Sequence, residues 1–525
     1  MTVLDELQDE LAGDGTVRLP ALVRGRLVLA PAPDDLPAAP PVGRPRAKAE
    51  RGVVDGAYTL RRPVLDPARL EPTGAVQTLV LPSVQPEALL GDRESVLELM
   101  RLPFADVLDY VAALHAALAD RPGLVGAIAA AADATSPAGP RAGSLHLELL
   151  RGLLDPVALG EAVDRDLGAP GVPGRRNLDA WTATGAHARG GVTAALRRHA
   201  FAVPEPPPPV ARVRALPTRQ LHITAATSPV IPLVCALRAI ATKSPAVIKA
   251  SSESHLATTL LAVAMHAVDP EHPITRHTSL VCWPGGDRRV EDVLLGSGRI
   301  DRLVAWGSAT TLESLRARAG AVRAISLEPR SGASLIGRAA LGDPGAVAVR
   351  AAADSLVENQ YACTASLTHY VEASRDEALD YCEALRAALA RWDAVLPHAP
   401  ARESVGALRR LRRGRLARDR WFVNQRGGVP TSSVVLTSGP VGAHPLGRCV
   451  VVRAVTDLEE AVRDLHPGVS TVGVAPEAER TALRDAIAVR GVSNIVPLGE
   501  AERAFAGMPH DGRRILSELV EWATA

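Results

Sequence analysis

LHITAATSPVIPLVCALRAIATKSPAVIKASSESHLATTLLAVAMHAV, residues 221–268, is the stretch that decides the fold. Two short runs of branched and small apolar residues, LHITAA (221–226) and PAVIK (245–249), each lead into an apolar stretch with helical spacing. The first helix is expected to about residue 243 and the second over HLATTLLAVAMHAV. Strands of this length alternating with helices of roughly a dozen residues predict a parallel, doubly wound sheet. The rhythm continues through SLVCW (279–283), RLVAW (302–306) and a helix from about residue 309.

A second alternating stretch follows Cys363: LTHYVE (367–372), a helix, VVLTS (434–438), CVVVRAV (449–455), a helix from Asp457, STVGVA (470–475), a helix and SNIVPLG (493–499). The expected fold is therefore α/β, with two doubly wound parallel-sheet domains and the site in the cleft between them. Upstream, PAPDDLPAAPPVGRPR (31–46) holds too much proline for a helix or central strand. Residues 82–200 carry helical spacing, as in Phe104, Val107, Leu108, Val111, Leu114 and Leu118. Pro204–Pro209, broken once by Glu205, reads as a stiff polyproline spacer. The expected division is an N-terminal arm with the Pro-rich segment (1–80), a largely helical region contributing to the cofactor domain (81–210), a dinucleotide-binding domain (211–335), a catalytic domain (336–500) and a C-terminal helix or tail (501–525).

The 525 residues are 47% hydrophobic and 22% charged with a formal net charge of +1, which fits a globular chain of several folding units. That balance excludes a global basic field for nucleic acid. The five cysteines, at 235, 282, 363, 382 and 449, show no Cys-x-x-Cys pair and no metal-ligand spacing with histidine, against a disulfide framework or a zinc site. MTVLDELQDELAGDG at the amino terminus lacks the basic start and apolar core of a signal peptide, and no run of about 18 apolar residues occurs. A cytoplasmic location without a membrane span is expected. Only three of the 59 cationic residues are lysines, Lys48, Lys243 and Lys249, so each is an exception to notice.

Parallel sheets bind ligands beyond the carboxyl ends of their strands. Those positions hold Ala226-Thr227-Ser228-Pro229, Lys249-Ala250-Ser251-Ser252, Pro284-Gly285-Gly286-Asp287, and Gly307-Ser308 at the start of a helix with Thr311 in its first turn. A helix start of that kind favours an anion. A Gly-Ser pair before a helix is more often a plain cap, so the co-occurrence at successive strand ends carries the signal. The Gly-x-Gly-x-x-Gly fingerprint is absent. A cysteine is usually a small buried hydrophobe, and Cys235, Cys282, Cys382 and Cys449 sit in apolar runs that fit this. Cys363 lies in VENQYACTAS (357–366), whose polar residues suit an accessible thiol.

The order of Lys249, Gly307-Ser308, Glu328 in Ser326-Leu327-Glu328, and Gln360-Tyr361-Ala362-Cys363 resembles the aldehyde-dehydrogenase superfamily. Ala236-Leu237-Arg238-Ala239 with Thr242-Lys243, Val247 to Ser252, and Met508-Pro509-His510-Asp511-Gly512-Arg513 with Leu519-Val520-Glu521-Trp522 are similar to its acyl-CoA/acyl-protein thioester reductase branch, the LuxC-type fatty-acid reductases. The resemblance covers about 215–525. It implies reduction of an acyl thioester to an aldehyde, the acyl group arriving on CoA, on an acyl carrier protein or from an acyl-protein synthetase partner. Cys363 would be the covalent nucleophile and NADPH the hydride donor. Lys249 would meet the adenosine ribose, and Ser252, where NAD-preferring relatives keep a glutamate, favours NADPH. Ala226, Ser251, Gly285, Gly286, Gly307, Ser308 and Thr311 would complete the cofactor site, and a homo-oligomer is usual in the superfamily.

Three positions depart from the superfamily pattern. Its oxyanion asparagine after the first strand is missing, with Thr227 or Ser228 in that neighbourhood. His444 replaces the glutamate expected at the nicotinamide ribose. Glu328 stands where hydrolytic relatives keep the base that activates water, so here it either tunes Cys363 or is structural. An oxidative aldehyde dehydrogenase and a non-catalytic carrier-protein-binding subunit of the same fold fit the same residues. His510-Asp511 reads as an acid/base pair or as a capping cluster. The eight arginines from Arg402 to Arg420 read as a docking patch for an acidic carrier protein or CoA phosphates, or as a solvated helix face.

Overall fold

A computed structural model describes the chain except residues 1–2, 13–14, 32–49, 55, 67–69, 136–141, 170, 188–195, 197–198, 201–209, 227, 252–253, 297, 399, 416–417, 440, 442 and 504–507. Residues 32–46 of the first proline-rich segment, the run Pro204–Pro209, Thr227 and Ser252 therefore lie outside the described residues.

Seven strands form the first large sheet: β1 (Ala21–Val23), β2 (Arg26–Val28), β3 (Gln220–Ile223), β4 (Ala246–Ala250), β5 (Thr278–Cys282), β6 (Arg302–Trp306) and β7 (Arg323–Leu327). Their order is β7-β6-β3-β4-β5-β1-β2, parallel from β3 to β7 and antiparallel where β1 and β2 join. Every residue of β4 and β5 is buried, as a parallel sheet covered on both faces requires. The chain runs from β3 to β4 on one side and later crosses to β6 on the other. The order thus reverses between β3 and β6, and a crevice opens at their carboxyl ends. Helices α1 (Ile231–Ala241), α2 (Arg288–Leu295) and α3 (Ala309–Ala319) start beyond strand ends. Asp287 caps α2 through the Arg289 N–H at 3.1 Å, and Ser308 caps α3 through the Thr311 N–H at 3.4 Å.

The second sheet contains β8 (Ser331–Ile336), β9 (Ser366–Glu372), β10 (Arg420–Arg426), β11 (Val429–Leu436), β12 (Cys449–Val455), β13 (Val469–Ala475) and β14 (Asn494–Pro497), in the order β10-β11-β12-β9-β8-β13-β14. Only β10 is antiparallel to its neighbour. Helix α4 (Pro344–Leu356) leads toward the segment of Cys363, capped by Asp343 through the Ala346 N–H at 3.0 Å.

The sequence reading needs correcting at the amino-terminal end. Residues 1–80 are more than an arm: β1 pairs with β5, Val23 opposite Ser279, and Thr16–Arg18, Glu50–Val54, Ala57–Leu65 and Pro72–Pro82 form a four-stranded sheet. Strands of three residues carry too little periodicity to read. The C-terminal segment holds a helix, Ile515–Leu519, as expected, and then ends in a strand, Glu521–Thr524, antiparallel to Val210–Leu216. Over the helical region, Phe104, Val107, Val111, Leu114 and Leu118 are buried and Leu108 is half-buried. Each fully buried side chain of this size contributes roughly 1.5–3 kcal/mol. The arginine-rich stretch is the helix Arg402–Arg415, with its last arginine, Arg420, opening β10. No single helix among the described residues is long and apolar enough to cross a membrane.

Candidate active site

Cys363 stands between α4 and β9, and the backbone that presents it is strained. Glu358, Asn359 and Gln360 have φ of 44°, 52° and 72°, left-handed values that cost a non-glycine residue about 1–2 kcal/mol each. Side chains hold this turn in place. Gln360 donates from Nε2 to the Cys449 carbonyl at 2.8 Å and accepts the Cys449 N–H at 2.9 Å. Arg448 Nε donates to Asn359 Oδ1 at 2.8 Å, and Ser228 Oγ donates to Glu358 Oε1 at 3.1 Å. The polar residues around Cys363 thus build its pedestal.

Past the turn, Cys363 is fixed by its neighbours in the sheet. Its carbonyl accepts from Ser470 Oγ at 2.6 Å, and Gly332 at the start of β8 donates to the Ala365 carbonyl at 2.7 Å. A Cβ on Gly332 would stand 2.4 Å from the Thr364 carbonyl oxygen, so only glycine allows this approach. The other four cysteines are buried, whereas Cys363 is half-buried.

Cys363 opens onto a cavity of about 1100 Å³ that both large sheets line. This exceeds the roughly 300–1,000 Å³ of a site for a drug-sized ligand. Ala226, Lys249, Ser251, Gly285, Gly286, Gly307, Ser308, Thr311, Glu328 and Cys363 all line it, so the strand-end residues singled out in the sequence share one space. Lys249 and Ser251 are buried, and Ser251 Oγ lies 2.8 Å from Ser254 Oγ. Gly285 and Gly286 face open space, and Gly286, with φ +83°, requires glycine. Glu291 pins that loop by accepting the Gly286 N–H at 3.0 Å, and is itself paired with Arg318 at 2.6 Å. The first N–H groups of α3 have no intrahelical acceptor and give the cavity an anion-favouring wall. A buried cation, an open glycine loop and a helix start fit a phosphate-bearing dinucleotide.

The remaining sequence candidates sit differently. Glu328 has a side chain 55% exposed, with Arg316 at 3.9 Å, at the solvent side of the cavity. The Ser228 hydroxyl is engaged by Glu358 and also accepts the Val230 N–H at 3.3 Å. His444 is not among the cavity residues: it is a half-buried loop residue whose Nδ1 accepts the Leu446 N–H at 3.0 Å.

The group that sequence reasoning undervalued is the carboxyl-terminal turn. His510 and Arg513 exchange backbone hydrogen bonds at 2.9 and 3.0 Å, closing a turn with Asp511 at φ 52°. The turn caps no helix through its side chains. Instead His510 and Asp511 line the cavity, His510 meets Trp306 edge-on at 5.0 Å between ring centroids, and Asp511 pairs with Arg330 at 3.6 Å. Burial, with Arg238 and Arg330 nearby, holds His510 down to about 3, so its imidazole is neutral at working pH. Burial raises the Asp511 carboxyl against the pull of Arg330, Arg513 and Arg238. Burial also pushes the Cys363 thiol up to about 11; Asp511 adds to that, while its own backbone N–H and Arg330 oppose it. Glu328 is not among the charges acting on Cys363.

A model of the acyl-CoA reductase (LuxC) family matches residues 213–522. The chain belongs to this family. Among LuxC relatives, the long-chain acyl-protein thioester reductase 2 of Photobacterium leiognathi is 28% identical over 318 residues, covering 59% of this chain and 64% of that protein. The long-chain acyl-protein thioester reductase of Photorhabdus laumondii matches with the same identity and coverage. The chain thus spans slightly less than two thirds of these LuxC relatives. In fold it is similar to aldehyde dehydrogenases: aldehyde dehydrogenase 21 of Physcomitrella patens at a TM-score of 0.65 and 13% identity, covering 98% of each chain. The 1-pyrroline-5-carboxylate dehydrogenase of Thermus thermophilus superposes at a TM-score of 0.63 and 14% identity, covering 99% of this chain and 95% of that one.

Proposed function

We propose that this chain reduces an acyl thioester to the aldehyde with a nicotinamide cofactor, through an acyl group held on Cys363. The observation that carries the reading is the meeting of Cys363, Lys249, Gly285-Gly286 and Gly307-Ser308 on one cavity in a LuxC-family chain. Residues 211–335 then serve as the cofactor domain and 336–500 as the catalytic domain.

The Cys363 sulfur attacks the acyl carbon and the substrate thiol departs. The Cys363 backbone N–H, held at the rim of β9, is one donor for the developing oxyanion; losing such a donor typically costs about 10²–10³ in rate. The bound cofactor supplies the hydride that converts the thioester to an aldehyde. Lys249 and the first turn of α3 hold its ribose and phosphates, with Ser308 and Thr311 shaping that turn. NADPH is preferred over NADH because Lys249 attracts a 2′-phosphate and position 252 carries a serine in place of a repelling carboxylate. The acyl group arrives on CoA, on an acyl carrier protein or from an acyl-protein synthetase. An oxidative role is disfavoured by Glu328, whose exposed, loosely paired carboxylate is poorly suited to activate water at Cys363.

The test is NADPH oxidation with a panel of acyl-CoAs and acyl carrier proteins, beside Cys363→Ala. Aldehyde formation abolished in the variant is expected; unchanged turnover overturns the covalent route. Lys249→Ala is expected to raise KM for NADPH far more than for NADH.

A further inference from the structure

The strands place Arg330 beside the nucleophile. Arg330 immediately precedes β8 and Cys363 precedes β9, and these parallel neighbours pair Gly332 with Ser366. Adjacent strands lie about 4.8 Å apart, so residues at the same rim of β8 and β9 are close neighbours. Arg330 is anchored by donating from Nη1 to the Pro467 carbonyl at 2.9 Å, and its Nε faces Asp511 Oδ2 at 3.6 Å. The Asp511 side chain is only 8% exposed and borders the same cavity as Cys363. A buried carboxylate on the carboxyl-terminal turn therefore shares the cavity with the thiol and acts on it through its charge.

We propose that Asp511 is the proton acceptor for Cys363 during acylation and the donor to the departing thiol, with Arg330 as the residue that positions it. The inference rests on the thioester reading above. In the step, the Cys363 S–H proton moves to an Asp511 oxygen as the sulfur bonds to the acyl carbon. The carbon–sulfur bond to the carrier then breaks, and the leaving sulfur takes the proton back from Asp511. Thioester and thiol become a new thioester and a new thiol, with no change of oxidation state. The need for such a group follows from the site: a thiol held near 11 is protonated at neutral pH and cannot attack as a preformed thiolate. The charged groups facing Asp511 are Arg330, Arg513 and Arg238, which oppose the rise that burial imposes on its carboxyl, and neighbouring His510 stays neutral. Those facing Cys363 are Asp511 and Arg330.

The experiment measures two rates at Cys363 in the full chain by peptide mass spectrometry at pH 8: alkylation by iodoacetamide, which needs only thiolate, and acylation by an acyl-CoA. Asp511→Asn removes a negative charge next to the thiol, so alkylation is expected to rise. Acylation is expected to fall about 10²-fold or more, and Asp511→Glu to recover part of it. Opposite movement of the two rates is what a structural role would not produce. Acylation unchanged, or both rates moving together up or down, overturns the proposal. A wild-type chain that is alkylated at Cys363 but acylated by no thioester overturns the reductase reading itself, and this inference with it.

Discussion

The side-chain amide of Gln360 grips the backbone of Cys449 from both sides, donating to its carbonyl at 2.8 Å and accepting its N–H at 2.9 Å. This two-way bond fastens the left-handed turn before Cys363 to the first residue of β12. Gln360→Ala leaves two buried backbone groups unpaired, each costing about 1–3 kcal/mol, and frees the strained turn to relax. Urea unfolding is expected to show a loss of that order, and iodoacetamide labelling of Cys363 a changed rate. A variant matching the wild type in both would mean that the turn is held elsewhere.

Gly332→Ala tests how closely the second sheet holds the nucleophile. Its Cβ would meet backbone atoms of Thr364 and Ala365 at 2.4 and 3.0 Å, and these cannot rotate away. The Cys363 loop must shift, and misplacement on the order of 1 Å costs about 10²-fold in rate. Acylation kinetics should record that loss while cofactor binding, followed by NADPH fluorescence, stays near wild type.

Lys243 is one of the chain's three lysines and serves the scaffold. Fully buried and at φ 52°, it donates from Nζ to the Leu102 carbonyl at 2.9 Å and to Asp179 at 2.8 Å, where Asp179 also receives the Phe104 N–H. Lys243→Ala should destabilise the chain by about 3 kcal/mol, the low end for breaking a buried pair because Asp179 is partly exposed. Chemical denaturation checks this; a loss below 1 kcal/mol would contradict it.

Asp354 gives the fold a pH signature. Its oxygens accept the Gly499 and Ala501 N–H groups at 2.8 and 2.9 Å, yet burial pushes its carboxyl from 3.8 up to about 6. The folded chain therefore binds this proton more tightly than the unfolded chain. The associated stability is fully present below pH 3.8 and is lost as pH rises through about 6, an effect of up to roughly 3 kcal/mol. Melting curves from pH 4 to pH 7.5 should fall more steeply for the wild type than for Asp354→Asn. Parallel curves would count against the shift.

Much of both large sheets was legible because β3 to β6 are short apolar runs punctuated by helices, and RLVAW and CVVVRAV coincide with β6 in the first sheet and β12 in the second. β7 and β8 were missed: Arg323–Leu327 and Ser331–Ile336 mix serine and glycine into their alternation and are separated by only Glu328-Pro329-Arg330. At the site, strand-end position identified the cavity-lining residues, since backbone topology alone brings strand ends together. Side-chain partners are another matter. Glu328 and Asp511 are both carboxylates near the right motifs, and only packing decides that one faces solvent and Arg316 while the other is buried against Arg330. His444 looked like a cofactor ligand for the same reason, and the loop turns it inward.

The hairpin of β1 and β2 ties the beginning of the chain to β5, with Leu22 against Leu280 and a tight Gly25 whose Cβ would strike the Pro270 carbonyl at 2.4 Å. Chains emerge from the ribosome at about 5–20 residues per second, so the hairpin must wait roughly 13 to 50 seconds for its partner strand to appear. During that interval an apolar strand edge has nothing to pair with. A chaperone that shields the emerging hairpin during synthesis should therefore raise the yield of this protein more than one that acts on the finished chain.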